Sequence, residues 1–84
     1  MENTKELSYG EKAVGLTFNP SGDEKVEKVK KLYAEIIDLC DEIRKDTGGS
    51  KEVGSNEKGR LMSVAITQAQ TAQMWAVKGI TWKN

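Results

Sequence analysis

Residues Leu61–Val77 (LMSVAITQAQTAQMWAV) decide the fold, because they hold no charged side chain in a chain that is otherwise dense in charge. Of the 26 Asp, Glu, Lys and Arg residues, 24 lie at or before Arg60. Small or apolar residues recur at spacings of three and four, which places them on one face of a helix. They are Met62, Ala65, Ala69, Ala72 and Ala76. The remaining face is polar but uncharged, unlike that of an ordinary surface helix, so we expect burial on more than one side through self-association.

Composition limits the chain to one small domain and removes several classes of function. A domain of 84 residues is marginal as an isolated unit, which again favours an oligomer. The 13 basic and 13 acidic residues balance, so no bulk attraction to DNA or to a membrane is expected. The absence of histidine excludes a histidine-based triad or metal site, and the single cysteine excludes an internal disulfide. With a polar N-terminus and no segment apolar enough to span a membrane, we expect a soluble cytosolic protein.

The first long helix is expected from about residue 21 to residue 45. Six residues follow a 3-4-3-4-3 spacing, and three more widen the apolar stripe as a globular helix requires. The six are Val26, Val29, Tyr33, Ile36, Cys40 and Ile43, and the three are Leu32, Ile37 and Leu39. Asn19 or Ser21 is the expected N-cap, because Pro20 keeps Asn19 out of the helical region.

The segments around this helix complete a single predicted domain, residues 1–84. Residues 1–20 form an N-terminal arm, irregular or partly extended where Gly10 and Gly15 disfavour a helix. Residues 46–56 form a loop, and the second long helix runs from about residue 56 to residue 80. A loop of this length makes the two helices antiparallel neighbours. The predicted fold is an all-α, antiparallel helical hairpin with an irregular N-terminal arm, assembled into a compact homo-oligomer.

No arrangement of residues points to catalysis. Asp38, Asp41 and Glu42 flank the apolar stripe of the first long helix, where carboxylates usually serve solubility. Cys40 lies within the stripe with no histidine to activate it, so a core thiol is expected. No glycine-rich piece has the spacing of a P-loop or a dinucleotide-binding fingerprint. We therefore expect a protein that is not an enzyme and uses no cofactor and no metal ion.

Two lysines near the start of the first long helix lack a carboxylate partner at the favourable spacing. Lys25 and Lys30 have no acidic residue four positions away on either side, and the helix dipole disfavours cations at this end. Beside Phe18, in the preceding turn, they could grip a phosphate while the ring stacks on a base. The plainer alternative is that both lysines are solvated and Phe18 is a hydrophobic staple on the first helical turn. Composition alone favours that alternative.

The second long helix carries further candidates. Arg60 lies near its N-terminus, and both a bidentate contact to an anion and a plain surface position are open to it. Trp75 and Trp82 are expected in the core or in a contact between subunits. Gln70 and Gln73 are expected to form hydrogen bonds across helices or subunits, because buried amides need partners.

Three segments resemble a known family of short phage proteins. They are GEKAVGLTFNPSG (residues 10–22), the amphipathic helix that follows, and SVAITQAQTAQMWAVKGITWK (residues 63–83). Members of that family act as cyclic-oligonucleotide sponges against the CBASS bacterial defence, and they share a helical hairpin with a phage inhibitor of the Thoeris defence. The resemblance covers about Tyr9 to Lys83, and AITQAQTAQMWAVK is its most specific part.

The resemblance implies a compact homohexamer with ligand sites between protomers. In such sponges an aromatic residue before the first long helix stacks on a base, and a lysine one to two turns into that helix meets a phosphate. These roles fall on Phe18 and Lys30, with Asn19 beside Phe18 in the turn. Tyr9 could take the stacking role instead, and Lys25 could replace Lys30.

The resemblance also implies a separate site at the threefold axis that takes cyclic trinucleotides in some members, and its arginine corresponds to Arg60. The resulting hypothesis is a phage anti-defence protein that binds and sequesters cyclic dinucleotides without cleaving them. It would act in the cytoplasm of the infected bacterial host and block the activation of CBASS effectors. The alternative is a small oligomeric interaction protein that binds a host protein and no nucleotide.

Overall fold

Helices make up the regular secondary structure of the part of the chain that the structure describes. A computed structural model describes residues 6–46 and 54–83. It contains helices α1 (Tyr9–Ala13), α2 (Glu24–Lys45) and α3 (Gly54–Ile80), and these two ranges hold no β-strand. Arg44, near the end of α2, donates to Ser63, near the start of α3, whereas the other ends of the two helices line one pocket. Helices α2 and α3 are therefore antiparallel, and the predicted all-α hairpin is confirmed.

Helix α2 begins three residues later than expected, at Glu24. Its N-cap is Asp23, whose side chain accepts from the backbone N–H of Lys25, so the prediction of Asn19 or Ser21 as the cap is wrong. Those two side chains are engaged within the turn, where the Ser21 hydroxyl donates to Asn19 Oδ1 at 2.7 Å. The backbone N–H of Gly22 donates to the same oxygen at 3.2 Å. The side chains of Asn19 and Ser21 therefore form hydrogen bonds within the turn and do not cap α2.

The buried face of α2 differs from the predicted apolar stripe. Val26, Cys40 and Ile37 are buried as expected, but three predicted members are about half exposed. These are Ile36 at 51%, Leu32 at 55% and Leu39 at 55%. The buried residues of α2 include two charged ones, Lys30 and Asp41. Partners within the fold compensate these two charges, so both residues can be buried. The face of α2 that packs therefore includes Lys30 and Asp41 in place of Leu32, Ile36 and Leu39.

The core lies where α1 and α3 meet the middle of α2. Its buried members are Val14, Ala34, Ile37, Cys40 and Ile66, and Met62, Ala65 and Ala69 pack against it. Ile37 is fully buried, and burial of a side chain of this size stabilises a fold by about 1.5–3 kcal/mol. Three of the five residues predicted on the packed face of α3 therefore contact the core. Cys40 is a buried thiol as expected.

A short helix replaces part of the arm that was expected to be irregular. Ser8 and Glu11 form a capping box that begins α1, a local signal that favours a helix despite the glycine. Gly10 is needed at its position, because a Cβ there would lie 2.1 Å from the Ala34 carbonyl oxygen of α2. Asp38 holds this contact by accepting from Gly10 N at 2.6 Å and from Ser8 Oγ at 2.7 Å. The interpretation of Asp38 as a solvated surface carboxylate is wrong.

The connection between the long helices falls mainly on residues 47–53. The predicted loop at residues 46–56, including its two glycines, therefore lies largely outside the described residues. Helix α3 begins at Gly54, close to the predicted start at about residue 56. In the two described ranges, no helix combines the length and the apolar character needed to cross a membrane.

The outer face of α3, opposite the core, carries an exposed stripe of uncharged residues. The stripe on the helix comprises Leu61, Val64, Gln68, Thr71 and Trp75, at spacings of three and four. Trp82, seven residues after Trp75, follows the end of the helix. Trp75 is 67% exposed and Trp82 is 63% exposed. Lys78 approaches the Trp82 ring to 5.6 Å from its centroid. Within the described protomer these tryptophans are not core residues, and their location in a contact between subunits stays a prediction.

Candidate ligand-binding pocket

A pocket of about 220 Å³ opens between the turn that precedes α2 and the last turns of α3. It is lined by Phe18, Asn19, Pro20, Ser21, Val26, Lys30, Val77 and Thr81. Three of the predicted site residues, Phe18, Asn19 and Lys30, are therefore brought together by the fold. Antiparallel packing of the long helices creates the site, because it sets the end of α3 beside the turn.

The Lys30 ammonium lies at the base of this turn and is bound to its backbone. The residue is only 6% exposed, and Nζ donates to the carbonyl oxygen of Gly15 at 2.9 Å and to that of Phe18. The expectation that Lys30 is either solvated or free for a ligand did not include backbone carbonyl partners fifteen and twelve residues away. Since an ammonium group has three N–H donors, one donor remains beyond these two contacts.

Phe18 projects from the turn with 70% of its surface exposed. Lys30 Nζ lies 5.6 Å from the centroid of the ring, which is within the range of a cation–π interaction. An exposure this high does not fit a hydrophobic staple buried on the first helical turn. Gly15, with φ of 63°, supplies the left-handed backbone that lets the chain reverse before Phe18. The Phe18 ring therefore contacts Lys30 on one side, and most of its surface is available for stacking.

Asn19 organises the turn beside Phe18. Its Nδ2 donates to the Asp23 carbonyl oxygen at 3.1 Å, and its Oδ1 accepts from Ser21 and Gly22. The Ser21 hydroxyl accepts in turn from the Asp23 backbone N–H at 3.1 Å. These bonds make the wall of the pocket a closed network, so Asn19 positions the turn as well as lining the site.

The other three predicted site residues lie elsewhere. Tyr9 packs against Arg44, whose guanidinium carbon is 5.3 Å from the ring centroid. Arg44 and Lys30 are both on α2, and their separation along that helix corresponds to roughly 21 Å at 1.5 Å per residue. Tyr9 and Phe18 therefore do not share a site, and the pocket favours Phe18 over Tyr9 for stacking.

Lys25 and Arg60 also lie outside the pocket. Lys25 is exposed on a mixed-charge surface at the start of α2, together with Glu24, Glu27, Lys28 and Lys31. Arg60 forms a bidentate pair with Glu57, with N–O distances of 3.1 and 2.7 Å. This pair raises the pKa of Arg60 and lowers the pKa of Glu57. In the protomer, Arg60 is a surface arginine with its charge already matched.

Val77 and Thr81 are pocket residues that the sequence did not single out. Val77 lies near the end of α3 and Thr81 directly follows the helix, and the Thr81 hydroxyl donates to the Val77 carbonyl oxygen at 2.9 Å. Their spacing places them on one helical face, but only the antiparallel arrangement shows that this face ends at the turn carrying Phe18. Together with Val26 they give the pocket an apolar wall.

A second polar cluster stands at the opposite end of α2 and was not expected. Asp41 is 8% exposed and pairs with Lys45 at 3.0 Å and with Arg44 at 2.8 Å. These two partners lower the pKa of Asp41, with Lys45 contributing most. Arg44 also donates to Ser63 Oγ at 3.0 Å. The prediction that Asp41 is a solvated carboxylate is wrong: Asp41 pairs with two basic residues of α2, and one of them, Arg44, joins α2 to α3.

Comparison with known proteins places these features in a family. No curated protein and no solved structure matches the chain. A family model described as "Acb2/Tad1, hairpin domain" matches residues 11–81, which confirms the family that the sequence resembles. Because the match includes the turn with Phe18 and both long helices, and covers most of the 84 residues, the chain belongs to the Acb2/Tad1 hairpin-domain family.

Proposed function

We propose that this chain is a phage anti-defence protein that binds cyclic dinucleotides and withholds them from CBASS effectors in the cytoplasm of the infected host. The observation that carries the proposal is the pairing of an exposed Phe18 ring with the buried Lys30 ammonium at one pocket. Membership of the Acb2/Tad1 hairpin family supports an anti-defence role. The proposal that the ligand is a cyclic dinucleotide depends on the chemistry of the pocket.

A cyclic dinucleotide offers two flat bases and two phosphodiester anions. The exposed face of Phe18 provides a stacking surface, and stacking of a base on an aromatic side chain contributes about 1–3 kcal/mol. The remaining N–H donor of Lys30 provides a charged hydrogen bond for a phosphodiester oxygen. Val26 and Val77 provide the apolar contact that encloses most small-molecule ligands.

The pocket of one protomer is too small for a complete ligand of this size. Its volume of about 220 Å³ is below the roughly 300–1,000 Å³ of typical ligand sites. A second copy of the chain against the pocket would enclose the rest of the ligand. We therefore place the complete site between protomers, with six copies as the number that the family resemblance implies.

The exposed face of α3 supports self-association. Trp75 and Trp82, each about two-thirds exposed, offer roughly 100–170 Å² apiece at the 150–250 Å² typical of a large aromatic side chain. Leu61 at 52% and Val64 at 44% extend the same face. No charge interrupts the face between residues 61 and 77, so two copies can pack there without burying an ion. This is the surface that a homo-oligomer would cover.

The proposed action is stoichiometric capture, without chemistry on the ligand. The chain has no histidine, its cysteine is buried, and the described residues hold no group of three or more potential metal ligands. The pocket itself offers a cation, an aromatic ring and an apolar wall, which bind but do not activate water. We therefore expect a bound cyclic dinucleotide to be recovered intact.

The deciding experiment mixes the protein with a panel of cyclic dinucleotides and cyclic trinucleotides and measures free ligand after ultrafiltration. Depletion of a cyclic dinucleotide, followed by its intact recovery after heat denaturation, is the expected result. Recovery of linear nucleotides would instead indicate a nuclease. If no member of the panel is depleted or gives heat in calorimetry, the proposal is wrong and the result favours the alternative, an oligomeric interaction protein that binds a host protein. Depletion of trinucleotides that is lost in Arg60→Ala would assign Arg60 to a separate site.

A further inference from the structure

Gln73 is a buried amide whose carbonyl oxygen has no hydrogen-bond partner among the described residues. The residue is 6% exposed, and its Oε1 atom has no hydrogen-bond donor among the residues that the structure describes. Buried polar side-chain atoms nearly always have a partner in native proteins. The neighbouring Gln70 follows that rule, since its Nε2 donates to the Ala13 carbonyl oxygen at 3.3 Å. Gln73 therefore needs an explanation.

Helix geometry places Gln73 opposite Lys30. Val26 and Val77 line the same pocket from α2 and α3. Lys30 lies four residues after Val26, and Gln73 lies four residues before Val77, so each is one turn further into the hairpin on the same face. Because the two helices are antiparallel, these two turns face each other. Lys30 and Gln73 are also equally buried, at 6% exposure each.

Lys30 has a hydrogen-bond donor to spare, and Gln73 has an acceptor without a donor among the described residues. Lys30 gives two of its three N–H donors to the carbonyl oxygens of Gly15 and Phe18. Gln73 presents a carbonyl oxygen without a donor. A buried ammonium benefits strongly from each acceptor, because the low local dielectric makes an unpaired charge costly.

We propose that Gln73 is a positioning residue for the pocket: its side chain rotates so that Oε1 accepts the third N–H of Lys30, and this bond holds the ammonium beside Phe18. This role goes beyond the proposed function, because it fixes the geometry of Lys30 and Phe18 whatever ligand the pocket takes. An anion that enters the pocket competes with Gln73 for the same donor. Gln73 thereby sets how readily Lys30 turns toward a ligand.

A double-mutant cycle between Lys30→Met and Gln73→Leu tests the proposal by the sign of an effect. If Gln73 serves Lys30, Gln73→Leu lowers the urea midpoint in the native background and leaves it unchanged or raises it in the Lys30→Met background. If Gln73 is only an unsatisfied buried amide, Gln73→Leu raises the midpoint by the same amount in both backgrounds, and the proposal is wrong. Gln68→Leu, a change of the same type on the exposed side of α3, is the matched control and should show no coupling to Lys30.

A spectroscopic measurement keeps the test valid if Lys30→Met does not fold. Nitrogen-detected NMR measures the rate at which the Lys30 ammonium exchanges protons with water. This rate should rise roughly two- to tenfold in Gln73→Leu, the range expected for loss of one hydrogen bond. Gln73→Glu, which retains an acceptor oxygen, should keep the exchange slow. An unchanged exchange rate in Gln73→Leu would overturn the assignment.

Discussion

Lys30 donates a hydrogen bond of 2.9 Å to the carbonyl oxygen of Gly15, fifteen residues earlier in the chain. Together with its second bond to the Phe18 carbonyl, this contact fastens the turn before α2 to the middle of the hairpin. The ring of Phe18, 5.6 Å from the same ammonium, is therefore positioned by α2. The residue that supplies positive charge to the pocket also sets the place of its aromatic surface.

Lys30→Ala should impair both stability and ligand binding. Loss of the ammonium removes the side-chain donor of the Phe18 carbonyl, and one unsatisfied group costs about 1–3 kcal/mol. The Gly15 carbonyl loses its bond to Lys30 but still accepts from the Phe18 backbone N–H at 2.9 Å. Urea unfolding should show this loss, and calorimetry with a cyclic dinucleotide should show weaker binding. Lys25→Ala removes the same charge from an exposed position and should change neither quantity. An unchanged affinity in Lys30→Ala would show that Lys30 does not contact the ligand, and a loss in Lys25→Ala would assign the phosphate contact to Lys25.

Phe18→Ala should weaken binding of a cyclic dinucleotide by about 1–3 kcal/mol, the contribution of one stacked base. Because Phe18 is 70% exposed, its removal should change the free energy of unfolding by less than about 0.5 kcal/mol. Tyr9→Ala is the matched aromatic control, since Tyr9 stands at the Arg44 end of α2. Binding measured by calorimetry should be unaffected in that variant. A loss in Tyr9→Ala with none in Phe18→Ala would move the site to the other end of the hairpin.

Hydrophobic spacing predicts most of the hairpin because its signal is local. Ile37 and Cys40 of α2 belong to the core, and Ala65 and Ala69 of α3 pack against it as their spacing indicates. Lys30 and Asp41 are missed, because what permits their burial lies elsewhere: backbone carbonyls of the turn for Lys30 and two basic side chains for Asp41. Burial of a charged residue can be predicted only when the residue that will pair with it in the fold is also known.

The candidate site is predictable only in part for the same reason. Phe18 and Lys30 stand out by composition and by family resemblance, whereas Val77 and Thr81 enter the pocket through the antiparallel packing of α3. The choice between Phe18 and Tyr9 also depends on packing. Tyr9 belongs to a helix that Asp38 fixes against α2. The sequence around each aromatic residue does not show which side chains it will contact in the fold.

Gly10→Ala should destabilise the protein by displacing α1 from α2. The added Cβ would lie 2.1 Å from the Ala34 carbonyl oxygen and 2.8 Å from Asp38 Oδ1, and overpacking of this kind costs about 1–3 kcal/mol. Gly59→Ala is the matched control, because its Cβ would meet no atom within 4 Å and alanine favours a helix by about 1 kcal/mol. Thermal unfolding should therefore shift in opposite directions for the two variants. A Gly10→Ala protein as stable as the native one would show that α1 is not packed closely on α2.

The Asp41 cluster predicts a pH-dependent contribution to stability. Hydrogen bonds from Lys45 and then Arg44 hold the pKa of Asp41 in the folded protein below its ordinary value of 3.8. A carboxyl group with a lowered pKa favours folding above its unfolded pKa, and this contribution is lost as the pH falls through the folded-state pKa. Asp41→Asn should therefore have a lower urea midpoint than the native protein at neutral pH, and the difference should shrink as the pH falls below 3.8. Glu42→Gln, an equal charge change on the exposed side of α2, should show no such pH-dependent difference.

Trp75→Glu should reduce the mass of the assembly while leaving the protomer folded. Trp75 is 67% exposed in the protomer, so the substitution removes little internal packing, but it would bury a carboxylate wherever two copies meet on α3. A charge at Ala69 would be a poor test of this interface, because Ala69 packs against the core of its own protomer. Lys28→Gln makes the same change in net charge on the exposed surface of α2 and should keep the native mass. Light scattering after gel filtration measures the mass and circular dichroism the helix content; a native mass for Trp75→Glu would place the subunit contact away from the outer face of α3.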